Sequence, residues 1–368
     1  MDKPIRILHI VGAMYPGGME NFILNLYRNV DRSRLQFDIA VHSRKENDYC
    51  DLVESMGGHI YDLPRMSRHP IKNYRALKEL VRTNGYKVVV RHTANAMILM
   101  QLVAAHRGGA LTICHSHNET DPKKFLHKLC RPFLKKAADV KMACSQKAGA
   151  WMFGEEPFEE VHNAIDIDAF RFNRERRTAL RAEFGIPENA HVYGNISNFI
   201  ASKNHPFQIE VYKEILKRDS DSYFFCIGEG DLRPEIEAAR DKAGLTKRLI
   251  LTGIRRDVPD LMSMLDVLLF PSFFEGLPLT LIEAQAAGLP ILMSDSITDS
   301  VIVTDGIVSK KSLSETAESW AEAAMERAEK ETDRMGSKEQ IASHGYDIKA
   351  LAASYESRIF RMIKESDC

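Results

Sequence analysis

Glu275 and Glu283 are two carboxylates in a stretch of sequence that otherwise reads as a strand, a turn and an apolar helix. Glu283 is flanked by Leu, Ile and Ala residues, which places it on a helix that is at least partly buried. Burial of a carboxylate is costly unless hydrogen-bond donors satisfy its oxygens. A ligand rich in hydroxyl groups would supply such donors, so this stretch indicates a site for a polyhydroxylated ligand.

The helix that carries Glu283 is predicted to begin at Pro278 or Leu279, after a turn marked by Gly276. A strand-like run ends at Phe270 on the other side of this turn. A helix start presents free backbone N–H groups and the positive end of the helix dipole. The N–H groups at Leu279 and Thr280 are therefore predicted to bind a phosphate group.

Strand-like and helix-like runs alternate along the whole chain, which is typical of doubly wound α/β domains. In the first half, a Gly-rich loop with Gly17 and Gly18 separates the first strand from a helix, and the site is expected at the carboxyl edge of the sheet. The strands are predicted at 5–11, 37–41, 59–63, 87–91, 111–115, 140–144, 192–196, 223–227, 249–251, 267–270 and 291–293. The main helices are predicted at 19–27, 74–83, 96–106, 178–184, 206–217, 233–242 and 279–287.

The chain has 368 residues, which is long for one core and sufficient for two. We predict two Rossmann-like domains that face one another across a cleft, with bounds at 1–170 and 171–345. Residues 346–368 are predicted to form a helix that crosses back to the first domain. No internal repeat is visible in the sequence.

Bulk composition excludes several classes of protein. A net charge of −1 gives no global attraction for nucleic acid. The six cysteines show no CxxC spacing, which fits reduced thiols in the cytoplasm. No run approaches the roughly 20 apolar residues of a membrane-spanning helix, and the N-terminal apolar run is too short for a signal peptide. We therefore expect a soluble, cytoplasmic protein.

These residues resemble the retaining glycosyltransferases of family 4, which have the GT-B fold, and in particular bacterial enzymes of capsular or exopolysaccharide assembly. The most specific match is the segment PSFFEGLPLTLIEAQAAGLPI, which holds Glu275 and Glu283. The supporting matches, in chain order, are Gly17-Gly18-Met19-Glu20, Cys144-Ser145, Asn163-Ala164-Ile165-Asp166, Lys203-Asn204-His205, Gly228-Glu229-Gly230 and Gly253-Ile254-Arg255-Arg256-Asp257-Val258.

The resemblance implies roles for individual residues of the second domain. Glu283 would accept hydrogen bonds from the two ribose hydroxyls of a nucleotide, since an ionised carboxylate only accepts. Glu275 would bind hydroxyls of the donor sugar and stabilise positive charge on its ring. Lys203 would bind the diphosphate together with the helix start, so that no metal or other cofactor is expected. Gly253, Ile254 and Arg255 would lie against the base.

In the first domain, the resemblance implies that Gly17 and Gly18 let the backbone approach the phosphate or the acceptor. His117, in the run CHSHN, would point at the donor sugar, and His115 is the alternative to it. One position of the second domain departs from the family pattern. Where such enzymes commonly carry an Arg on the diphosphate, this chain has Asn198, which removes a bidentate phosphate contact. The departure implies that Lys203 balances more of the negative charge of the diphosphate, that the donor binds more weakly, or that the chain is a weakened or inactive enzyme.

Two other patterns are interpreted as structural. Gly228-Glu229-Gly230 resembles a dinucleotide fingerprint, but Arg233 stands at the third glycine. Asp166 and Asp168 have the spacing of a metal-dependent glycosyltransferase motif, which two aspartates reach often by chance.

Residues 122–136 combine six basic residues with Phe and Leu residues at helical spacing. One interpretation is an ordinary helix with a solvated basic face. The other is an interfacial segment that docks the acceptor domain on anionic lipid, at the inner face of the cell membrane.

The sequence therefore predicts a metal-independent retaining glycosyltransferase that moves a sugar from a nucleotide diphosphate, expected to be UDP, to a hydroxyl of a glycan or lipid-linked glycan. The alternatives are a sugar-nucleotide 2-epimerase of the same fold and a non-catalytic sugar-nucleotide or glycan-binding partner. The donor sugar, acceptor, linkage and oligomeric state are left open by the sequence.

Overall fold

The computed structural model describes residues 3–15, 17–44, 46, 48–330, 334 and 338–366, with the side chain of residue 135 left out. Pro16 of the Gly-rich loop and Cys368, one of the six cysteines, lie outside the described residues. The chain forms two compact units: unit 1 consists of Met1–Ile165 and Gly345–Cys368, and unit 2 of Asp166–His344. The bounds predicted from sequence lay at 170/171 and 345/346, so residues 166–170 belong to unit 2.

Unit 1 is built on a parallel sheet with strand order β3-β2-β1-β4-β5-β6-β7. Its strands are β1 (Ile5–Ile10), β2 (Leu35–Val41), β3 (Ile60–Asp62), β4 (Val88–Thr93), β5 (Leu111–Ser116), β6 (Val140–Ala143) and β7 (Glu159–Glu160). The helices between them are α1 (Gly18–Asn29), α2 (Cys50–Ser55), α3 (Pro70–Asn84), α4 (Leu99–Arg107), α5 (Lys124–Ala137) and α6 (Gln146–Phe153). The strand order changes direction between β1 and β4, and such a switch opens a crevice at the carboxyl ends of the strands.

Unit 2 repeats this plan with strand order β10-β9-β8-β11-β12-β13, again parallel. Its strands are β8 (Val192–Ile196), β9 (Tyr223–Ile227), β10 (Leu249–Gly253), β11 (Val267–Phe270), β12 (Ile291–Ser294) and β13 (Val308–Lys311). Its helices are α7 (Ile167–Phe170), α8 (Arg174–Glu183), α9 (His205–Leu216), α10 (Arg233–Lys242), α11 (Val258–Met264), α12 (Leu279–Ala286), α13 (Ala317–Glu329) and α14 (Lys338–Ser343). A 3₁₀ turn at Ala201–Lys203 precedes α9, and the switch point lies between β8 and β11.

The last helix, α15 (Ile348–Ser366), belongs to unit 1 and packs on α1. Ile348, Tyr355 and Ile359 are buried in the same apolar cluster as the residues of β1 and β2. A polar contact fixes its register, since Glu356 pairs with Arg34 at 2.9 Å and accepts from the Asp31 backbone N–H at 3.2 Å. Unit 1 therefore needs a segment that follows the whole of unit 2 in sequence.

The prediction of two doubly wound α/β domains is confirmed by these sheets. The strands Val192–Ile196, Tyr223–Ile227 and Val267–Phe270 have the bounds predicted for them, whereas β7 and β13 were not predicted. β7 has two residues, and β13 reads VSKK, so neither shows the continuous apolar run of a buried parallel strand. No helix among the described residues combines the length and the apolar character needed to cross a membrane.

Candidate functional site

The loops that follow β8 and β11 meet at the switch point of the unit 2 sheet. The Phe273 backbone N–H donates to the Ser202 carbonyl at 2.8 Å, and Asn204 Nδ2 donates to the Pro271 carbonyl at 3.2 Å. Asn204 has a φ of 55°, a left-handed conformation that Asn tolerates better than most residues and that turns the chain into α9. These contacts hold the 3₁₀ turn of Lys203 against the loop of Glu275.

Lys203 and Glu275 form an ion pair in which Lys203 Nζ lies 2.6 Å from Glu275 Oε1. Both side chains are largely enclosed, with 14% and 10% of their surface exposed. The ammonium group also lies 5.2 Å from the centre of the Phe270 ring. Sequence analysis assigned these residues to a diphosphate and to a sugar separately, and the structure brings them into direct contact. A ligand at this point would therefore meet one ammonium and one carboxylate together.

The start of α12 lies directly after this loop. Pro278 is its N-cap residue and no side chain caps the first turn. The backbone N–H groups at Leu279 and Thr280 are thus among the orphan donors that a helix start presents. A Cβ atom placed on Gly276 would meet nothing within 4 Å, and Leu279 and Thr280 are part-exposed. The start of α12 is therefore suited to bind an anionic ligand.

Glu283 lies one turn into α12 and is part-buried. Among the residues that the structure describes, none donates a hydrogen bond or forms an ion pair to its carboxyl group. Burial raises the pKa of Glu283 to about 7. A carboxyl group in this state gains strongly from two hydroxyl donors, because they stabilise the ionised form that burial disfavours.

The loop that follows β8 packs closely on the loop that follows β9. The Phe199 backbone N–H donates to the Glu229 carbonyl at 2.9 Å. A Cβ atom on Gly228, whose φ is 144°, would lie 2.0 Å from the Ser197 carbonyl oxygen, so only glycine fits there. Asn198 lies on the exposed side of this turn. Close packing against the loop after β8 therefore explains the glycine at 228. Arg233, at the position of the third glycine of a dinucleotide fingerprint, pairs with Glu229 at 2.7 Å.

Gly253 is the last residue of β10, and Ile254 and Arg255 follow it. Gly253 has a φ of 72°, and Ile254 is 57% exposed. The Arg255 guanidinium donates to both carboxylate oxygens of Asp257, at 2.7 and 2.5 Å, and lies 3.6 Å from Glu183. Only Gly253 and Ile254 are thus open toward a base, while the Arg255 guanidinium is held by carboxylates.

In unit 1, a pocket of about 880 Å³ lies at the carboxyl edge of the sheet, beside the switch point between β1 and β4. Gly18 lines this pocket, and a Cβ atom there would meet nothing within 4 Å. A Cβ atom on Gly17 would lie 2.6 Å from Glu20 Oε2, the end of a flexible side chain. Three basic residues line the pocket: Arg65 from the loop after β3, Arg91 of β4 and Lys123 from the loop after β5. Its other polar lining residues include His42, Asn95, Asn118 and Glu20.

Four histidines lie together at the same edge of the unit 1 sheet. His92 Nδ1 lies 2.9 Å from His117 Nε2, and His92 Nε2 lies 2.9 Å from His9 Nδ1. Burial lowers the pKa of His117 to about 3 and that of His9 to about 3, so both imidazoles are neutral at pH 7. His115 is 1% exposed, whereas His117 is part-exposed. Of the two predicted alternatives, His117 is the one that a ligand could reach.

Sequence analysis missed His9 and His92. The signal was present, because each lies near the carboxyl end of a predicted strand next to the switch point, as His115 does. Asp166 and Asp168 have structural contacts: Asp166 caps α7 by accepting from the Ala169 N–H at 3.2 Å, and Asp168 pairs with Lys338 at 2.7 Å.

Both halves of the chain match sequence profiles of known protein families. Residues 16–169 match "Glycosyltransferase Family 4", and residues 176–344 match "Glycosyl transferases group 1". The chain is 32% identical over 358 residues to the putative glycosyltransferase EpsF of Bacillus subtilis, covering 94% of this chain and 93% of the relative. It is 23% identical to the UDP-Gal:alpha-D-GlcNAc-diphosphoundecaprenol alpha-1,3-galactosyltransferase of Escherichia coli, covering 79% of each.

Among solved structures, Anabaena HepE in complex with UDP aligns with a TM-score of 0.74 and 16% identity, covering 98% of this chain and 100% of that one. At this identity the likeness concerns the fold, and it confirms the predicted GT-B class of two Rossmann-like domains. The family predicted from the glutamate motif is confirmed as well. The chain is an enzyme of the glycosyltransferase class and belongs to the family 4, group 1 glycosyltransferases.

Proposed function

We propose that this enzyme transfers a sugar from a UDP-sugar to a hydroxyl of a glycan or lipid-linked glycan, with retention of configuration, in surface polysaccharide biosynthesis. The observation that carries the proposal is the Lys203–Glu275 ion pair beside the start of α12, with Glu283 one turn further on. The names of the relatives support the donor and acceptor classes, since one is a UDP-Gal transferase that acts on a diphosphoundecaprenol-linked sugar.

Each part of a UDP-sugar has a complementary group in unit 2. The ribose hydroxyls would donate to Glu283, whose carboxyl has no partner among the described residues. The diphosphate would accept from the backbone N–H groups at Leu279 and Thr280 and from Lys203. The base would lie against Gly253 and Ile254. Arg255 then has a lesser role than the resemblance implies, since its guanidinium is engaged by Asp257. Asn198 could offer the donor only its neutral amide.

The transfer itself exchanges one bond at the anomeric carbon for another on the same face of the sugar. The bond from this carbon to the diphosphate oxygen breaks, and the bond to the acceptor oxygen forms. The departing phosphate oxygen takes the acceptor's proton. Positive charge grows on the ring in this step. Glu275 would stabilise it, while Lys203 stabilises the leaving diphosphate, so the step is proposed to need no metal at the diphosphate.

In unit 1, Gly17 and Gly18 are proposed to approach a phosphate or the acceptor, and His117 to contact the donor sugar. The pocket beside Gly18 is the proposed acceptor site, because its basic lining suits an acceptor that carries phosphate.

A donor panel tests the proposal directly. The protein is incubated with individual UDP-sugars, with and without lipid-linked glycan extracts, and both UDP release and the anomeric configuration of the product are measured by NMR. We expect UDP release only with an acceptor, and a product with the donor's configuration. Conversion of the donor without an acceptor would instead show a 2-epimerase, and tight donor binding without any turnover would show a binding protein.

The surface of α5 supports contact of unit 1 with an anionic membrane at the inner face of the cell membrane. Phe125, Leu129 and Phe133 recur at a spacing of four residues and are 80%, 59% and 62% exposed, with Leu126 beside them. The exposed basic residues Lys124 and Lys128 lie on the neighbouring flank of the helix. Exposed apolar side chains flanked by lysines are typical of interfacial helices.

Vesicle binding tests this contact. We expect the chain to bind vesicles that contain anionic lipid, and the triple change Phe125→Ser, Leu129→Ser and Phe133→Ser to weaken binding at least tenfold, since each buried side chain contributes about 1.5–3 kcal/mol at full burial. Co-sedimentation measures the bound fraction. The control is Lys72→Gln with Arg75→Gln on α3, which are also exposed basic residues of unit 1. Equal binding of all three proteins, or equal binding to neutral vesicles, contradicts the proposal.

A further inference from the structure

Three of the histidines in unit 1 converge at the ends of neighbouring strands. His92 on β4 and His115 on β5 are register partners, and His117 lies two residues beyond His115. One nitrogen from each of the three lies within 4.8 Å of the others. The ring centroids are 5.3 Å apart for His92 and His115, 5.1 Å for His92 and His117, and 4.1 Å for His115 and His117.

The second nitrogen of each imidazole has a neighbour that can accept a proton from it. For His92 this neighbour is His9, whose Nδ1 lies 2.9 Å from His92 Nε2. For His115 it is the Val161 backbone carbonyl, and for His117 it is the Asn163 side chain. Among the described residues, Asn163 Oδ1 and His117 Nδ1 are both buried without a hydrogen bond, so neither has a competing partner. Such outer contacts are what fixes the tautomer of histidines that bind metals.

This tautomer pattern leaves a lone pair on His92 Nδ1, His115 Nε2 and His117 Nε2. His115 Nε2 is buried and has no partner among the residues described. His92 Nδ1 and His117 Nε2 lie 2.9 Å apart and can share one proton when nothing lies between them. A cation would take the place of this shared proton once the proton moves from His117 Nε2 to His117 Nδ1, beside the Asn163 side chain, so that each imidazole keeps one proton. The cluster thus has the chemistry of a three-histidine site.

We propose that His92, His115 and His117 bind a divalent cation of the zinc class. Imidazole nitrogens suit Zn²⁺ and Co²⁺, at about 2.0–2.1 Å from the metal. Tetrahedral geometry at that distance sets the nitrogens roughly 3.3 Å apart. The separations of up to 4.8 Å therefore need to close by at most about 1.5 Å, and the 2.9 Å between His92 Nδ1 and His117 Nε2 needs to open slightly. His92 also lines the pocket of unit 1, so the ion would lie beside that pocket. A water molecule or a substrate hydroxyl would occupy the fourth position. With both of its nitrogens engaged, His117 would contact the donor sugar through its ring carbons.

The proposed ion is separate from the donor diphosphate. The expectation of a metal-independent transfer concerned the charge on that diphosphate, which Lys203 and the start of α12 are proposed to balance. The ion site uses residues of unit 1 alone, and its existence does not depend on the proposed reaction.

Cobalt binding to the untagged 368-residue chain tests the site without an activity assay. The protein is stripped with a chelator and titrated with Co²⁺, and the visible absorption of tetrahedral cobalt and the metal content are recorded. We expect one tight site per chain. His115→Phe, which keeps a ring against Phe22 at 5.2 Å, should weaken binding about 100-fold. The control is His69→Gln, which removes an exposed histidine of the same unit and should bind as the unchanged chain does.

Thermal unfolding distinguishes a lost ion site from a loss of stability in His115→Phe. Zn²⁺ should raise the Tm of the unchanged chain and of His69→Gln, because it binds the folded state, but not the Tm of His115→Phe. Substoichiometric cobalt in the unchanged chain, or an equal spectrum in His115→Phe, overturns the proposal. So does a ¹⁵N NMR spectrum at saturating Zn²⁺ that still shows a proton shared between His92 Nδ1 and His117 Nε2.

Discussion

Replacement of Glu275 by Gln is expected to lower kcat/KM for sugar transfer by about 10²–10³-fold, the range found when a group that stabilises transition-state charge is removed. The amide has nearly the same shape as the carboxylate, so packing of the loop is kept while the negative charge is lost. A steady-state assay of UDP release measures the change. Turnover close to that of the unchanged enzyme would refute the role of Glu275.

The ion pair also gives this prediction a stability component that has to be separated from catalysis. In Glu275→Gln the largely enclosed Lys203 ammonium loses its partner, which we expect to lower the free energy of unfolding by about 1–3 kcal/mol. Lys203→Met should cost a similar amount, and the double variant less than the sum of the two single changes. Glu210→Gln is the matched control, because Glu210 pairs with Lys213 at 2.7 Å on an exposed helix face. Glu210→Gln is expected to change the free energy of unfolding by less than about 1 kcal/mol.

Glu283→Gln is expected to stabilise the free protein above neutral pH while it weakens donor binding. The folded-state pKa of Glu283 is about 7, above the ordinary value of 4.5, so the folded chain holds this proton more tightly than the unfolded chain. The contribution of the Glu283 carboxyl to the free energy of unfolding is fully present below pH 4.5. It is lost as the pH rises through 7, where the folded chain releases this proton. At about 1.36 kcal/mol per pKa unit, the loss is at most about 3 kcal/mol.

Urea unfolding of the unchanged chain and of Glu283→Gln at pH 5 and pH 8 measures this difference. The variant should lose less stability than the unchanged chain between the two pH values. Glu318→Gln, at an exposed position of α13, is the control and should follow the unchanged chain. A variant whose stability falls with pH as steeply as that of the unchanged chain would contradict the argument.

Donor affinity should show the opposite dependence on pH. Ribose hydroxyls donate to the ionised carboxyl, so binding releases the Glu283 proton below pH 7 and affinity rises from pH 6 to a plateau above pH 7.5. Isothermal titration with a UDP-sugar measures it, and a donor analogue that lacks both ribose hydroxyls is the control without this dependence. Affinity that falls as pH rises would place the ribose elsewhere.

The fold could be predicted from sequence to the extent that each strand is buried on both faces. Apolar runs such as Val192–Ile196 and Val267–Phe270 are bounded by polar or turn residues, and their ends were predicted correctly. β13 could not be predicted, because an edge strand with the sequence VSKK is stabilised by its pairing with β12 rather than by its own composition.

For the candidate site, the sequence indicates which residues matter but not which of them touch. Lys203 and Glu275 are 72 residues apart in the chain, and their contact depends on β8 and β11 being neighbours. Arg255 reads as a free cation, yet the contact with Asp257 two residues later occupies its guanidinium. His92 and His115 become partners only through strand register, which a pattern of single residues does not contain.

The position of α15 has a consequence for the order in which the chain folds during synthesis. Unit 2 is continuous in sequence, so all of its residues have been made before α15 leaves the ribosome. Domains generally fold as units during synthesis. The core of unit 1 must therefore wait for Ile348, Tyr355 and Ile359, and the apolar surface that these residues cover is exposed until α15 has been made. Unit 1 thus completes its core after unit 2 can do so, although most of unit 1 is made first.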